Sequence, residues 1–428
     1  MIRTIARYGA RHVSGTTTSV RKISFSRNAV EGPFIAEFEK QFADYHGVRY
    51  AISASYGRMA FYYILKAFDF PPESEIILPA LTFWVIPEIA RVAGLRPVFV
   101  DINPLTYNLD PAQIEAAITS RTRAIVPTHL YGQPCEMEWI VEIARKHDLR
   151  IIEDCAHSIG ATYRGQKTGT FGDAAFFSFQ MLKGLNTYGG GMAISDDDSL
   201  ATKIRQLSEQ EQFPTAGSVR KKLFGGYLQR AFISRYGFTF SMFAAFYIAS
   251  FFGNHDLTRY IWEKIRPLNP LPDSYRKRYS NTQAAIGLQM LKAIDAFNAK
   301  ARAHAERLSE GLQNVRSILP PATIPEAEPV YYQYCIRASD PEALSHRAIR
   351  KGIDMEIMHV DICNRLPLFA DFATDCPNAE STERTLQLPV YESLTDNDID
   401  RVIRVVREAS EDLPSLNDQF SGVRLNAS

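Results

Sequence analysis

Residues 151–195 read IIEDCAHSIGATYRGQKTGTFGDAAFFSFQMLKGLNTYGGGMAIS. The first apolar run ends in two acids, Glu153 and Asp154, and passes into small residues and Gly160. A carboxylate at the carboxyl end of a strand can meet a ligand there, or it can cap a following helix, and the stretch alone leaves both open. The second run, DAAFFSF, reads as a buried strand. Lys183 follows, embedded in apolar residues, and then three glycines, 189–191. Burial penalises the charged form of an amine and lowers its pKa, which is what a lysine that attacks a carbonyl needs. Ser178 stands five residues before that lysine, where a hydroxyl could reach a phosphate.

Outward from this stretch, short apolar runs alternate with helical ones. AISAS, EIILPA, RPVFVDI, RAIVPTHL, LRIIEDCA, DAAFFSF and GGMAISDD have strand character, and GRMAFYYILKAF and EMEWIVEIARKH have helical spacing. The alternation predicts an α/β fold with much parallel pairing and a site at the carboxyl ends of the strands. Upstream, 34–50 carries apolar residues at helical spacing and then a glycine stop. Downstream, 283–312 is a long amphipathic helix leading to a smaller C-terminal α+β domain, which has both strand (YYQYCIRA) and helix (DNDIDRVIRVVREA) patterns. The expected organisation is a basic arm over 1–30, a large domain over 31–312 and the small domain over 313–428, a size that supports two cores.

The 428 residues balance 48 basic against 48 acidic side chains, which gives no reason to expect nucleic acid as a partner. The arm is uneven: Arg3, Arg7, Arg11, Arg21, Lys22 and Arg27 precede the first acid, Glu31. It reads as a transit segment, a solvated arm, or a strip facing anionic lipid. Five widely spaced cysteines with no CxxC pair argue against disulfides or a zinc site and for small buried side chains in a reducing, cytoplasmic setting, so no metal is expected.

The strings SASYGRMAF, EIILPALTF, AGLRPVFVDI, THLYGQPCEM, IIEDCAHSIGATYRGQKTGTFGD, FSFQMLK and NTYGGGM together resemble the DegT-type nucleotide-sugar aminotransferases. That family consists of fold-type I, pyridoxal-phosphate (PLP) enzymes. The resemblance implies a seven-stranded, mostly parallel sheet between helices, and shared active sites in a homodimer. It implies that Lys183 carries the cofactor as a Schiff base and moves the substrate proton. Asp154 would pair with the pyridine nitrogen, and Phe83 would stack on the ring, unless it is core packing. His157 would lie near the ring oxygen; Ser178 and the amides around Gly57 would hold the phosphate. Sugar dehydrases of the family carry His in place of the lysine, so Lys183 favours transamination, with glutamate as the expected donor and a keto-sugar as acceptor. Another PLP reaction, or a non-catalytic membrane-attached homologue, is the alternative.

The chain departs from the family pattern at several points. The phosphate loop reads Gly57-Arg58-Met59 rather than Gly-Thr-Ser/Ala, so Arg58 is expected to supply a charged bond to phosphate or a substrate anion. Arg276 stands where the family's Asn reaches the partner subunit's phosphate, and Gly189 where many members carry Glu. His359 is a further pocket candidate, or a structural histidine. The largest departure is a basic, aromatic insertion at about 212–270, with no acid between Glu211 and Asp256 and twenty uncharged residues from 236 to 255. Phe232, Tyr236, Phe240, Phe243, Tyr247 and Phe251 follow helical spacing within it. A membrane span, which needs about 20 apolar residues, would split one domain across a bilayer. The segment at 220–255 is therefore expected to attach to a membrane surface, with an oligomer interface or a lid over the site as alternatives. The expectation that follows is a lipid-linked or membrane-bound carbonyl substrate and an enzyme peripheral to the inner membrane face.

Overall fold

The computed structural model describes residues 4–251, 263–357 and 360–416. His359, Phe252 and His255 lie outside the described residues. All seven predicted strands form: β1 (Tyr50–Ala54), β2 (Glu75–Pro79), β3 (Arg96–Val100), β4 (Thr122–Ile125), β5 (Arg150–Asp154), β6 (Ala174–Ser178) and β7 (Gly191–Ser195). They make one sheet in the order β1-β7-β6-β5-β4-β2-β3, parallel except for β7, which runs against both its neighbours. Alternation across β6 sends Phe176 to one face and Phe177 to the other. Phe176 packs with Phe61 of the helix α3 (Gly57–Phe68), and Phe177 with Phe42 of α2 (Phe34–His46). Each fully buried ring contributes roughly 1.5–3 kcal/mol. The sheet is therefore covered on both sides and its strand ends are fixed.

The predicted long helix spans Asn281–Leu312, its start capped by the Ser280 hydroxyl accepting from the Gln283 amide. Beyond it, four short strands, Ile318–Leu319, Tyr334–Ala338, Thr385–Leu388 and Glu356–Ile357, form the small-domain sheet in that order. Its core includes Ile336, Leu386, Leu388, Val402 and Val406.

The basic arm is not a free or purely solvated segment, because from Thr4 onward it is built into the molecule. Ile5 pairs with Ile353 and joins the small-domain core. The Arg7 guanidinium lies on Asp354, donating to both carboxylate oxygens at 2.8 and 2.6 Å, with Glu356 at 3.4 Å. Arg11 is buried and donates to Asn298 at 2.7 Å and to the Gly184 carbonyl at 3.4 Å, next to Lys183. Arg7 thus answers acids that the sequence places some 350 residues away. Arg21, Lys22 and Arg27, on and after α1 (Thr16–Ser24), remain exposed.

The insertion is helical but not one helix. α4 (Ala216–Ile233) ends at Ser234, whose side chain caps α5 (Arg235–Phe240), and Ser241 separates α5 from α6 (Met242–Ala249). The helical spacing read across 232–251 is thus interrupted twice, by two serines whose hydroxyls bond local backbone. Among the described residues no helix is long and apolar enough to cross a membrane. Phe238 and Phe246 are buried against Ala6 and Ile349, whereas Phe224, Tyr236 and Phe240 are 71%, 75% and 72% exposed.

Candidate active site

The carboxyl ends of the parallel strands converge on one region. Asp154 closes β5: its amide donates to the Pro127 carbonyl at 2.9 Å, and its carbonyl accepts from the His129 amide at 3.1 Å. With the backbone so held, the carboxylate accepts the Ala156 amide at 3.0 Å. Burial pushes the carboxyl up to about 6, against the lowering effects of that amide, of Lys183 and of His129. A buried carboxylate this poorly compensated is suited to a cationic N–H partner.

Ser178 closes β6 opposite Gly191, and Gly57 opens α3 directly against it. A Cβ at Gly57 would fall 2.9 Å from both the Ser178 Cβ and the Phe177 carbonyl oxygen. Only glycine lets the helix start sit on this strand end. The leading amides of a helix and its dipole favour an anion, so Gly57, Arg58 and Ser178 form a cup that could hold a phosphate.

Lys183 follows in a turn, its amide donating to the Gln180 carbonyl at 3.0 Å. Burial lowers its amine to about 7; Asp154 acts to raise it and Arg58 to lower it further. The amine sits 4.8 Å from the centroid of the Tyr332 ring. Tyr332 in turn stacks on His157, ring centroids 4.3 Å apart and planes 30° apart. His157 is oriented by the Tyr131 amide, which donates to Nδ1 at 3.3 Å. Tyr332 was missed because YYQYCIRA reads as one strand; Tyr331 has φ +44°, and the strand begins only at Tyr334. The turn is what delivers the Tyr332 ring to the site.

Phe83 is 37% exposed at the turn after β2. It is therefore not a core residue. The Arg58 guanidinium carbon lies 5.6 Å from its centroid, 5.5 Å from Tyr56 and 4.9 Å from Tyr275. Arg58 donates to both Glu263 oxygens at 2.9 and 2.8 Å and to the Tyr275 hydroxyl. Its charge is thus at the cup and already held by a carboxylate. Arg276 is not gathered with these residues: its side chain is 59% exposed and pairs with Glu211 at 3.2 Å.

A second buried group lies behind Asp154. Glu153 accepts the amides of Gly169, Phe171 and Gly172 at 2.7, 2.7 and 2.9 Å, and His129 Nε2 donates to it at 3.0 Å. His129 Nδ1 accepts from the Cys135 amide at 3.0 Å, which leaves Nε2 to face Glu153. His129, Glu153 and Cys155 lie within metal-ligating distance of one another, but the ligand atoms of His129 and Glu153 are taken up in this network. All five cysteines are free and buried, as the sequence pattern predicts.

The arrangement fits a group that carries a cationic ring N–H, a phosphate and a carbonyl open to an amine. These are the attributes of PLP, and they match the undercompensated Asp154, the Gly57–Ser178 cup and the low-pKa Lys183. Fold and site together fit an α/β enzyme of the PLP type.

Comparison with known proteins makes the assignment specific. The model of the DegT/DnrJ/EryC1/StrS aminotransferase family matches residues 13–407, and the chain belongs to that family. It is 34% identical to GDP-perosamine synthase of Caulobacter vibrioides over 384 residues, 87% of this chain and 89% of that one. It is 30% identical over 404 residues to dTDP-3-amino-3,4,6-trideoxy-alpha-D-glucose transaminase of Micromonospora megalomicea, 91% and 93% of the two chains. Among solved structures, DesV of S. venezuelae superposes with a TM-score of 0.74 at 28% identity, covering 93% of this chain and 95% of that one. The protein is a PLP-dependent aminotransferase acting on sugars, with the fold-type I architecture.

Proposed function

We propose that Lys183, Asp154, Ser178, Gly57, His157 and Phe83 form the cofactor site, and that the acceptor is a keto-sugar presented at a membrane surface. PLP supplies an electron sink that carries the amino group between donor and acceptor. Asp154 would hold a proton on the ring nitrogen, Lys183 Nζ would move the proton at the reacting carbon, and Phe83 would pack on the ring. Tyr332, against His157, fixes the direction of the Lys183 amine. Glutamate is the donor. The enzyme works as a homodimer in which Arg276, exposed on its own chain, reaches the neighbouring site.

The observation that carries the acceptor assignment is the two-sided character of α4. Val219, Leu223 and Gly226 are buried on one face, which docks on the loop between Lys183 and Gly191: a Cβ at Gly226 would fall 2.1 Å from the Tyr188 ring. The opposite face exposes Phe224, Leu228 and Phe232, and the four-residue spacing continues to Tyr236 and Phe240 on α5. No acid lies anywhere in 212–251, while Arg220, Lys221, Arg230 and Arg235 are present. Exposed aromatics beside uncompensated basic charge fit the interface of an anionic bilayer.

Sedimentation with vesicles of phosphatidylserine and phosphatidylcholine tests this. The enzyme is expected to pellet with anionic vesicles, and a Phe224→Ser, Phe232→Ser, Phe240→Ser variant to remain in the supernatant as a dimer. Wild-type protein that stays wholly in the supernatant overturns the membrane assignment and leaves the sugar aminotransferase activity standing.

A further inference from the structure

Beside the start of α3 lies a cation that neither the family motifs nor the cofactor chemistry calls for. Lys222, on the docked face of α4, extends inward, and its amine lies 5.0 Å from the centroid of the Tyr56 ring. Tyr56 immediately precedes Gly57 at the start of α3, and it pairs with Gly190. The other cation near the same ring, Arg58, has Glu263 as its counter-ion. Among the described residues no carboxylate pairs with Lys222, and burial lowers its pKa. The ammonium is only partly exposed and has no anion in reach, so a ligand anion would complete it.

The path of the side chain depends on one departure from the family pattern. Lys222 crosses the Gly189 Cα: a Cβ there would lie 3.1 Å from Nζ and 3.5 Å from both Cδ and Cε. Gly189 also has φ +118°, a conformation that side-chain-bearing residues rarely adopt. The glycine that stands where many relatives carry Glu thus opens the channel that Lys222 fills. Gly226, one turn further along α4, seats the helix on Tyr188, and Arg230 Nη1 lies 3.4 Å from the Tyr188 hydroxyl. The lysine is positioned by docking on both sides, and the insertion and the altered glycine form one device.

We infer that Lys222 is a phosphate-binding residue supplied by the insertion, acting beside the Gly57–Ser178 cup on a phosphate of the cofactor or of the sugar substrate. This goes beyond the aminotransferase reading and does not depend on membrane attachment, since the amine is on the face of α4 opposite the exposed aromatics.

Two binding measurements distinguish the sources of the phosphate. In the first, cofactor-stripped wild type, Lys222→Ala and Lys222→Arg bind pyridoxal 5'-phosphate and, in parallel, unphosphorylated pyridoxal, followed by equilibrium dialysis. In the second, the cofactor-loaded proteins bind inorganic pyrophosphate, followed by calorimetry. Loss of one charge-assisted contact is expected to weaken binding by roughly 10- to 100-fold. A loss confined to pyridoxal 5'-phosphate assigns Lys222 to the cofactor; a loss confined to pyrophosphate assigns it to the substrate. Lys222→Arg is expected to retain most of the affinity in either case. Gly189→Ala is expected to reproduce the Lys222→Ala loss by closing the channel, while Lys203→Ala, at an exposed position outside the insertion, leaves both affinities unchanged. If Lys222→Ala, eluting as wild type does, binds all three probes as tightly as wild type, the inference is wrong.

Discussion

In the cofactor-free enzyme the Lys183 amine should titrate near 7, against an ordinary 10.5. That difference of about 3.5 pH units leaves roughly half of the amines neutral at pH 7, whereas about one in 3000 of free lysine side chains would be. The shift has named causes of opposite sign, so substitutions should move it in opposite directions. Asp154→Asn removes the anion that favours the ammonium and should lower the pKa further; Arg58→Gln removes a cation that disfavours it and should raise the pKa. Competitive acylation of stripped protein between pH 5 and pH 10, with the Lys183 peptide quantified by mass spectrometry, reads the pKa directly. The sign for stability follows from the same shift. Between about 7 and 10.5 the unfolded chain holds the proton that the folded one has released, so stability rises with pH across that window through this group. Asp154, raised to about 6, works the other way: between its ordinary value and 6 the folded state holds the extra proton, and stability falls as pH rises. A Lys183 pKa above about 9, or both substitutions moving it the same way, refutes this electrostatic account of the site.

Three further outcomes are expected. Glu153→Ala strips the acceptor from three amides and His129, and should lower the urea-unfolding free energy by about 3 kcal/mol or more; a loss under about 1 kcal/mol contradicts the network. Arg7→Ala leaves Asp354 and Glu356 without their cation and should cost about 3–5 kcal/mol in the same assay, whereas an undocked arm would give no change. Tyr332→Ala removes the ring between His157 and Lys183 and should lower kcat/KM roughly tenfold, with Tyr332→Phe near wild type because the ring, not the hydroxyl, makes both contacts.

The strands were legible because each is a short apolar run with turn signals on either side, and the placing of Asp154 and Ser178 at strand ends follows from the same pattern. What escaped depends on contacts between distant parts of the chain. Arg7 and Arg11 look like surplus charge until Asp354, Glu356 and Asn298 are brought to them. Lys222 looks like one of several exposed basic residues until Gly189 and Tyr56 meet it. Glu153 reads as the neighbour of the interesting acid, yet three loop amides and His129 make it the fixed point behind Asp154. The aromatic repeat of the insertion suggested one helix because periodicity does not register a cap, and Ser234 and Ser241 end it twice.

The central claim is that Lys183 is the residue joined to PLP. Reducing the purified yellow enzyme with sodium borohydride and mapping the phosphopyridoxyl group by tandem mass spectrometry tests it in one step. The account predicts the label on Lys183 alone and its loss in Lys183→Ala; a label on another lysine, Lys222 included, or none at all, would contradict it.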